Sequence, residues 1–334
     1  MHTAVKRMPL SIETYPRSAR PSSHVRFNSS TALVVAGVQK SGTTLLSNLI
    51  ADMLKLPAKR RKEPHIFERC WPTHRCRMGA LNRTSSSGMY VDVTPLYFDS
   101  LNALLMLPRV FSGVKVIVTF RDPISRAFSA WDQNRRSGAE VRSFDIAIAQ
   151  ELEGLTRQCG VGMARLPEVV GAAWRVSGDA SIAQVQLERT GLQRSCASWS
   201  SMCWLRESWT LEKMSAHDRK VCRRYVVRGL YAHKLAAWRA VFQDRLLTFR
   251  MEDVIEQPEH AKQLVRSLLG LVPAGQTGNF RLADQKANQS CWHACGAKKA
   301  DPDKAISTAT KSALAYFYSA DLATLRKIEP TLRW

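Results

Sequence analysis

The sequence predicts an α/β fold in which an open, P-loop-like parallel sheet is flanked by helices on both faces. Residues 31–37 (TALVVAG) form a short apolar run that is typical of a buried strand. The loop GVQKSGTT (37–44) follows and leads into LLSNLIADMLKL, an amphipathic helix that Pro57 is expected to end. Residues 114–120 (VKVIVTF) are apolar and β-branched, as in a parallel strand covered on both faces. Strand–helix alternation after such a loop favours a doubly wound sheet.

Further elements continue this alternation along the chain. MYVDVTPLYF (89–98) contains a short strand that runs into a turn at Pro95, and Pro123 is placed to open a helix. Apolar residues at helical spacing predict a helix within 223–242, around Tyr231, Leu235 and Trp238.

Two more elements are predicted after that helix. RLLTFR (245–250) is typical of a strand, and residues 252–271 have a helical pattern with a break near Pro258. The pattern therefore predicts one domain over 31–334, in which 138–220 is a variable insertion of mixed structure. Residues 1–30 are polar and rich in proline, serine and arginine, which predicts a flexible arm or stem.

The charge of the chain indicates a polyanionic partner. Lys and Arg number 49 against 28 Asp and Glu, a formal net charge of +21. Such a surplus fits nucleic acid, an anionic membrane or an acidic polysaccharide, and it also fits a basic surface that is simply solvated. The chain shows no zinc-finger or RNA-recognition signature, so no nucleic-acid partner is expected.

Cysteines and glycosylation sequons favour an oxidising, secretory compartment. Eight cysteines are enough for four disulfides, whose pairing the sequence leaves open. Sequons begin at Asn28, Asn82 and Asn288. Residues 1–30 contain no apolar run long enough for a signal peptide or membrane anchor, and no later segment qualifies as a span. Membrane attachment is therefore expected only through an anchor that this chain does not show.

Two short clusters raise the question of a metal site. Each combines two cysteines with one histidine, and neither has a convincing four-ligand spacing; they are Cys70, His74, Cys76 and Cys291, His293, Cys295. Disulfides or free thiols fit them better, and no metal is expected.

The loop GVQKSGTT predicts an anion site. A nucleoside-triphosphate loop has its lysine after the second glycine, whereas Lys40 precedes Gly42 here. Backbone amides at a helix start attract anions, Lys40 can reach a phosphate or sulfate oxygen, and three neighbouring hydroxyls can donate hydrogen bonds, those of Ser41, Thr43 and Thr44. The alternative is a purely structural strand-to-helix turn.

FRDPISRAFSAW (120–131) predicts a second contact for the same ligand. Arg121 follows the strand at 114–120, where open α/β sheets bind their ligands, and Ser129 lies two turns into the next helix. That spacing lets a guanidinium and a hydroxyl hold one phosphate. The alternative is an Arg121–Asp122 pair or a cap on a neighbouring element.

Together these two motifs resemble those of the sulfotransferases that use 3′-phosphoadenosine 5′-phosphosulfate (PAPS). GVQKSGTT is similar to the family's 5′-phosphosulfate loop, and FRDPISRAFS is similar to its 3′-phosphate motif. The resemblance implies PAPS as co-substrate, bound by Lys40, Ser41, Gly42, Thr43, Thr44, Arg121 and Ser129.

More blocks resemble the glycosaminoglycan branch, which includes heparan sulfate N- and 3-O-sulfotransferases. They are KEPHIF (62–67), DVTPLYF (92–98), RGLYAHKLAAW (228–238) and CWHACGAKKADPD (291–303). The last resembles a loop that closes over the cofactor, which implies a role for Lys298 or Lys299. Val93 stands where the heparan-type pattern has a substrate-contacting lysine, and Cys291 lies closer to Cys295 than in the family's usual disulfide. The additional cysteines and the approach from Cys222 to Gly229 resemble the N-acetylgalactosamine 4-sulfate 6-O-sulfotransferase type.

The resemblance assigns catalytic roles. Glu63 is the expected base for an acceptor hydroxyl, and the alternative is an ion pair with Arg60, Arg61 or Lys62. Lys40 is expected to stabilise charge on the leaving oxygen. His65 is expected to orient the acceptor or support Glu63, unless it is a structural histidine.

The sequence thus favours a PAPS-dependent carbohydrate sulfotransferase of the Golgi lumen or secretory pathway. Its expected partner is an acidic, glycosaminoglycan-like polysaccharide, and its oligomeric state is left open. The alternatives are a P-loop nucleotide kinase or hydrolase and a non-catalytic polyanion-binding protein on the same scaffold. The displaced lysine disfavours the kinase, as does a central strand followed by Arg121 rather than by an acidic residue.

Overall fold

A computed structural model describes residues 31–56, 63–68, 89–171, 224–271 and 306–334. The described strands are β1 (Thr31–Gly37), β2 (Tyr90–Val93), β3 (Gly113–Phe120) and β4 (Leu246–Arg250). The described helices are α1 (Thr43–Met53), α2 (Leu101–Val110), α3 (Pro123–Arg136), α4 (Phe144–Cys159), α5 (Leu166–Gly171), α6 (Ala232–Phe242), α7 (Met251–Glu256), α8 (Pro258–Leu268) and α9 (Thr308–Ile328).

The four strands form one parallel sheet in the order β2-β1-β3-β4. The Cα of Val35 in β1 lies opposite Val93 on one side and Ile117 on the other. The chain therefore leaves β1 toward β2 on one side and later returns to β3 on the other side. Open α/β sheets bind their ligands in a crevice at such a change of direction, which here is the carboxyl end of β1.

Helices cover both faces of the sheet, as the sequence predicts. On one face Ala32, Val34 and Ala36 pack in a core with α2, α6 and the end of α9. On the other face Leu33 and Val35 pack with α1, α7 and α8. Because both faces of β1 are buried, its residues 32–36 are continuously apolar rather than alternating.

A second core lies beside the sheet and is built from helices alone. Side chains of α3, α4, α5 and α9 meet there with Tyr225, Val226 and Leu230. Helices α4 and α5 belong to the predicted insertion at 138–220, so the described part of that region contains two helices packed against the rest of the protein. Residues 172–220 lie outside the described part, as does the predicted arm at 1–30.

Several boundaries differ from the sequence predictions. Helix α1 ends at Met53, well before Pro57, because Lys55 has a left-handed backbone with φ 52°. Helix α6 begins only at Ala232, after a 3₁₀ turn at Val227–Gly229. Helices α2 and α9 were not predicted, although both begin at a serine cap, at Ser100 and Ser307.

A distant carboxylate caps helix α6. Tyr231, the residue before its first turn, makes no side-chain cap of its own. Asp321 of α9 instead accepts hydrogen bonds from the backbone N–H groups of Tyr231, at 2.8 Å, and Ala232, at 3.2 Å. Asp321 is buried, and this burial raises the pKa of its carboxyl to about 6, although the two amides and Lys234 oppose the shift.

None of the described helices is long and apolar enough to cross a membrane.

The raised pKa of Asp321 predicts an unusual pH dependence of stability. Between about pH 4 and pH 6 the folded carboxyl keeps a proton that the unfolded one releases, so this group lowers the unfolding free energy as the pH rises. The change is about 3 kcal/mol over the window, because each pKa unit corresponds to about 1.4 kcal/mol. Asp321→Asn should remove this pH dependence of the unfolding free energy, which is measured from urea unfolding curves at several pH values. Asp244→Asn, at an exposed position, should keep it. An equal pH dependence in wild type and Asp321→Asn would contradict the prediction.

Candidate active site

The loop between β1 and α1 is shaped to expose backbone amides. Lys40 and Gly42 both have left-handed backbones, with φ 71° and 80°, and the Ser41 N–H donates to the Val38 carbonyl at 3.1 Å. Gly42 occupies the N-cap position of α1 without any side-chain cap, and the first turn has no acidic residue. The first-turn amides and the positive end of the helix dipole therefore have no capping side chain, an arrangement that can bind an anion.

One buried hydroxyl in this loop lacks a partner. Ser41 is fully buried and its Oγ makes no hydrogen bond in the part of the chain that the structure describes. Such an orphaned polar atom calls for a ligand atom, because buried polar groups are nearly always paired. Thr43 is also buried, whereas Thr44 is exposed. The loop thus fits an anionic group with several oxygens.

A buried charge cluster backs the loop. Gln39 of the loop accepts a hydrogen bond from Arg228, whose Nε lies 3.7 Å from Asp99 Oδ2. Lys234 Nζ lies 2.6 Å from Asp99 Oδ1, and its burial lowers the pKa of its ammonium while Asp99 opposes that shift. All three charged side chains are buried. Arg228 and Lys234 therefore share the Asp99 carboxylate, and Lys234 also interacts with the charge of Asp321.

Arg121 lies on the other side of the crevice, after β3. Its carbonyl accepts a hydrogen bond from the Tyr231 hydroxyl at 3.1 Å. Asp122 caps α3 by accepting the Ser125 N–H at 2.7 Å, so its carboxylate is engaged elsewhere. Within the described residues the Arg121 guanidinium has neither a hydrogen-bond partner nor an ion pair. Burial lowers the pKa of Arg121, and Glu252 and Asp122 oppose this shift. Ser129 lies on α3, the helix that Asp122 caps, and is half-buried.

The segment at 63–68 lies at the same edge of the sheet, beyond β2. The Glu63 N–H donates to the carbonyl of Val93 at 3.2 Å. The Tyr97 hydroxyl accepts hydrogen bonds from the N–H groups of Ile66, at 3.1 Å, and Phe67, at 3.4 Å. The structure therefore brings residues 63–68 and DVTPLYF together, next to the strand from which the Lys40 loop emerges.

His65 lies between two carboxylates. Its Nε2 is 3.4 Å from Glu63 Oε2, and its Nδ1 is hydrogen-bonded to Glu68. The Glu63 side chain is 49% exposed, whereas the Glu68 side chain is 11% exposed, so only the first is open to solvent. A carboxylate–imidazole–carboxylate chain of this kind can orient the exposed Glu63 and hold a proton close to it.

Four residues that meet at this edge of the sheet were not predicted from the sequence. Glu68 stands three residues after His65, directly after the KEPHIF block, and this spacing was the available signal. Asp99, Arg228 and Lys234 were not singled out either. For Lys234 a signal existed, because a lysine one turn after Tyr231 interrupts an otherwise apolar helix face.

Other predicted residues lie outside the described part of the chain. These are Lys298, Lys299, the three sequons, both cysteine–histidine clusters, and the basic residues 60–62 that were the alternative partners of Glu63. Cys159 is the cysteine that the described residues contain, and it is buried and disulfide-bonded. No group of three His, Cys, Asp or Glu side chains in the described ranges could hold a metal ion.

Comparison with known proteins identifies the family. Residues 30–295 match the family model of the sulfotransferase domain. Because this match covers most of the chain, the protein belongs to the sulfotransferase-domain family, and the resemblance to heparan sulfate sulfotransferases is confirmed.

Curated relatives align with a shorter part of the chain. Mouse heparan sulfate glucosamine 3-O-sulfotransferase 6 is 30% identical over 115 residues, which are 33% of this chain and 32% of that protein. Mouse heparan sulfate glucosamine 3-O-sulfotransferase 3B1 is 28% identical over 116 residues, or 34% and 29% of the two chains. The chain thus spans about a third of the length of these relatives.

A solved structure supports the fold. The crystal structure of a sulfotransferase from Alicyclobacillus acidocaldarius superimposes with a TM-score of 0.50 at 13% identity, over 91% of this chain and 96% of that one. At this identity the likeness concerns the fold, and it confirms the predicted α/β class.

The loop geometry predicts that Gly42 tolerates no side chain. A Cβ at Gly42 would lie 2.6 Å from Met251 Cγ, in addition to the cost of a left-handed backbone. Gly138 has a similar φ of 71°, but a Cβ there would meet no atom within 4 Å, so it reports the backbone cost alone. Gly138→Ala should lower the unfolding free energy by about 1–2 kcal/mol, and Gly42→Ala by about 1–3 kcal/mol more. Equal losses in chemical unfolding would contradict the proposed contact.

Proposed function

We propose that this protein transfers the sulfuryl group of PAPS to a hydroxyl of a carbohydrate. The observation that carries the proposal is the common location of three features at the carboxyl edge of the sheet. They are an uncapped amide loop with an orphaned Ser41 hydroxyl, the Arg121 guanidinium, which is unpaired among the described residues, and the Glu63 carboxylate. Membership of the sulfotransferase-domain family supports the reaction class.

The donor would bind across the crevice. In this proposal the loop holds the 5′-phosphosulfate through its amides, Gly42 allowing their close approach, and through Lys40 and the hydroxyls of Ser41, Thr43 and Thr44. Arg121 and Ser129 hold the 3′-phosphate. Lys298 or Lys299 would add positive charge from the segment that resembles a closing loop. The buried Arg228–Asp99–Lys234 cluster supports this arrangement, because Arg228 donates a hydrogen bond to Gln39 and so helps to fix the loop.

The chemical step would be an in-line displacement at sulfur. The acceptor oxygen forms a bond to sulfur while the bond from sulfur to the phosphate oxygen breaks, and the electron pair leaves with that oxygen. Glu63 takes the proton of the acceptor hydroxyl, and Lys40 stabilises the charge on the leaving oxygen. His65, held by Glu68, orients the Glu63 carboxylate. We expect these residues to work without a metal ion.

An acidic polysaccharide is the proposed acceptor. The net charge of +21 supports it, and so do the names of the curated relatives, which act on heparan sulfate glucosamine. Val93 argues for a different acceptor contact from the heparan type, because an apolar side chain replaces a cation there. For the compartment we propose the Golgi lumen or another part of the secretory pathway, supported by the bonded Cys159 and the sequons.

Donor binding tests the ligand class directly. Calorimetric titration with 3′-phosphoadenosine 5′-phosphate (PAP) should show tight, metal-independent binding, with little response to Mg-ATP. Arg121→Met should weaken PAP binding about 10–100-fold, since a hydrogen-bonded charge contributes about 1.5–3 kcal/mol, and should leave AMP binding unchanged.

Arg157→Met is the matched control for Arg121→Met. Arg157 is exposed on α4 and pairs with Glu153, so its loss should not alter PAP binding. A preference for Mg-ATP would favour a kinase or hydrolase, and binding of neither nucleotide would favour a polyanion-binding scaffold.

The assignment of the base is tested by Glu63→Gln. With labelled PAPS and a panel of acidic polysaccharides, we expect transfer to fall about 10²–10⁴-fold, because a positioned general base is lost. PAP affinity should not change. Glu153→Gln, at an exposed position on α4, is the control and should retain full activity. Full transfer by Glu63→Gln would show that another group removes the proton.

A further inference from the structure

A buried carboxylate in β2 organises three hydroxyl groups near the Glu63 segment. Asp92 is 1% exposed. It accepts hydrogen bonds from Thr94 at 2.7 Å, Tyr97 at 2.8 Å and Tyr90 at 3.0 Å. A carboxylate that only accepts hydrogen bonds forces each hydroxyl proton to point toward it. The direction of all three hydroxyls is therefore set by Asp92.

The Tyr97 hydroxyl has a second role that the Tyr90 hydroxyl lacks. Because its proton points to Asp92, its oxygen lone pairs are free to accept the N–H groups of Ile66 and Phe67. The ionised carboxylate also polarises this hydroxyl, which strengthens the hydrogen bonds that the oxygen accepts. A continuous path of hydrogen bonds thus joins Asp92 to the backbone three residues after Glu63.

The backbone at 63–68 needs such support. Glu63 and His65 have left-handed backbones, with φ 52° and 54°. For residues other than glycine this conformation costs about 1–2 kcal/mol each and persists only where the surrounding structure fixes it. The Phe67 side chain packs edge-on against Tyr97 and Phe111, but such contacts fix the ring rather than the direction of the preceding chain.

We propose that Asp92 and Tyr97 are positioning residues for the catalytic segment, and that they set the location of the Glu63 carboxylate through the amides of Ile66 and Phe67. The inference rests on the proposed function, in which Glu63 is the base. Neither residue touches the substrate in this scheme. Their effect on catalysis is indirect, because a small displacement of a catalytic group can lower the rate by about 100-fold.

The state of Asp92 fits this role at neutral pH. Burial raises the pKa of its carboxyl to about 6, the hydroxyls of Thr94, Tyr97 and Tyr90 oppose the shift, and the nearby charge of Glu68 adds to it. Asp92 is therefore ionised at about pH 7.5, where the experiments below are done.

Two tyrosine variants separate positioning from simple stability. Tyr97→Phe and Tyr90→Phe each remove one buried hydroxyl bonded to Asp92, but only Tyr97→Phe breaks the link to the Glu63 segment. For Tyr97→Phe we expect kcat to fall about 10–100-fold with PAP affinity unchanged, and hydrogen exchange of the Ile66 and Phe67 amides to accelerate. For Tyr90→Phe we expect kcat to stay within about threefold and both amides to keep their protection. Asp92→Asn should give the same two results as Tyr97→Phe, a lower kcat and faster hydrogen exchange of the Ile66 and Phe67 amides.

The outcomes distinguish this inference from the proposed function. Equal losses of kcat in both tyrosine variants would overturn positioning in favour of a general effect on stability. Unchanged amide exchange in Tyr97→Phe would also overturn it, whatever the activity. If the wild-type protein transfers no sulfuryl group, or if Glu63→Gln remains fully active, the proposed function or its base fails. The amide exchange then still decides whether the Asp92–Tyr97 pair holds the segment.

Discussion

The position of β1 between two parallel neighbours is the constraint on which the rest of the structure depends. Both edges of β1 are paired and both of its faces are buried, so the strand has no freedom to shift. The chain goes from β1 to β2 on one side and later to β3 on the other side. In open α/β sheets such a reversal places the ligand crevice where the central strand ends. The chain leaves β1 through a loop with left-handed backbones at Lys40 and Gly42. The location of the proposed anion site therefore follows from the sheet topology.

Buried carboxylates fix the irregular segments around this crevice. Glu151 accepts the N–H groups of Tyr225, Val226 and Val227 at 2.7, 2.9 and 3.2 Å, and Asp321 accepts those at the start of α6. Each carboxylate loses hydration on burial, and the hydrogen bonds that it accepts offset that cost. Backbone segments without regular pairing thereby gain defined positions from residues far away in the chain.

These two features together explain how a site without regular secondary structure can be preorganised. The sheet sets where the loop, Arg121 and the Glu63 segment meet, and the buried acids set how those segments are oriented. Lys40 and Arg121, both half-buried, carry positive charge at this edge of the sheet. The proposed in-line transfer depends mainly on such fixed positions and fields, because in it the protein forms no covalent bond to the group that moves.

The sequence by itself determined the elements and motifs whose signal is local. The apolar runs of β1 and β3, the Lys40 loop and Pro123 at the start of α3 follow from neighbouring residues, and the α/β class follows from their order. The tertiary structure alone decided which distant groups meet: the Asp99–Lys234 pair, the Tyr97 contact with residues 66 and 67, and the cap that Asp321 gives α6. Periodicity records which side of an element is buried, but it carries no information about the partner on that side. A buried acid or lysine therefore acquires its role only when the packing of the sheet and helices selects the group beside it.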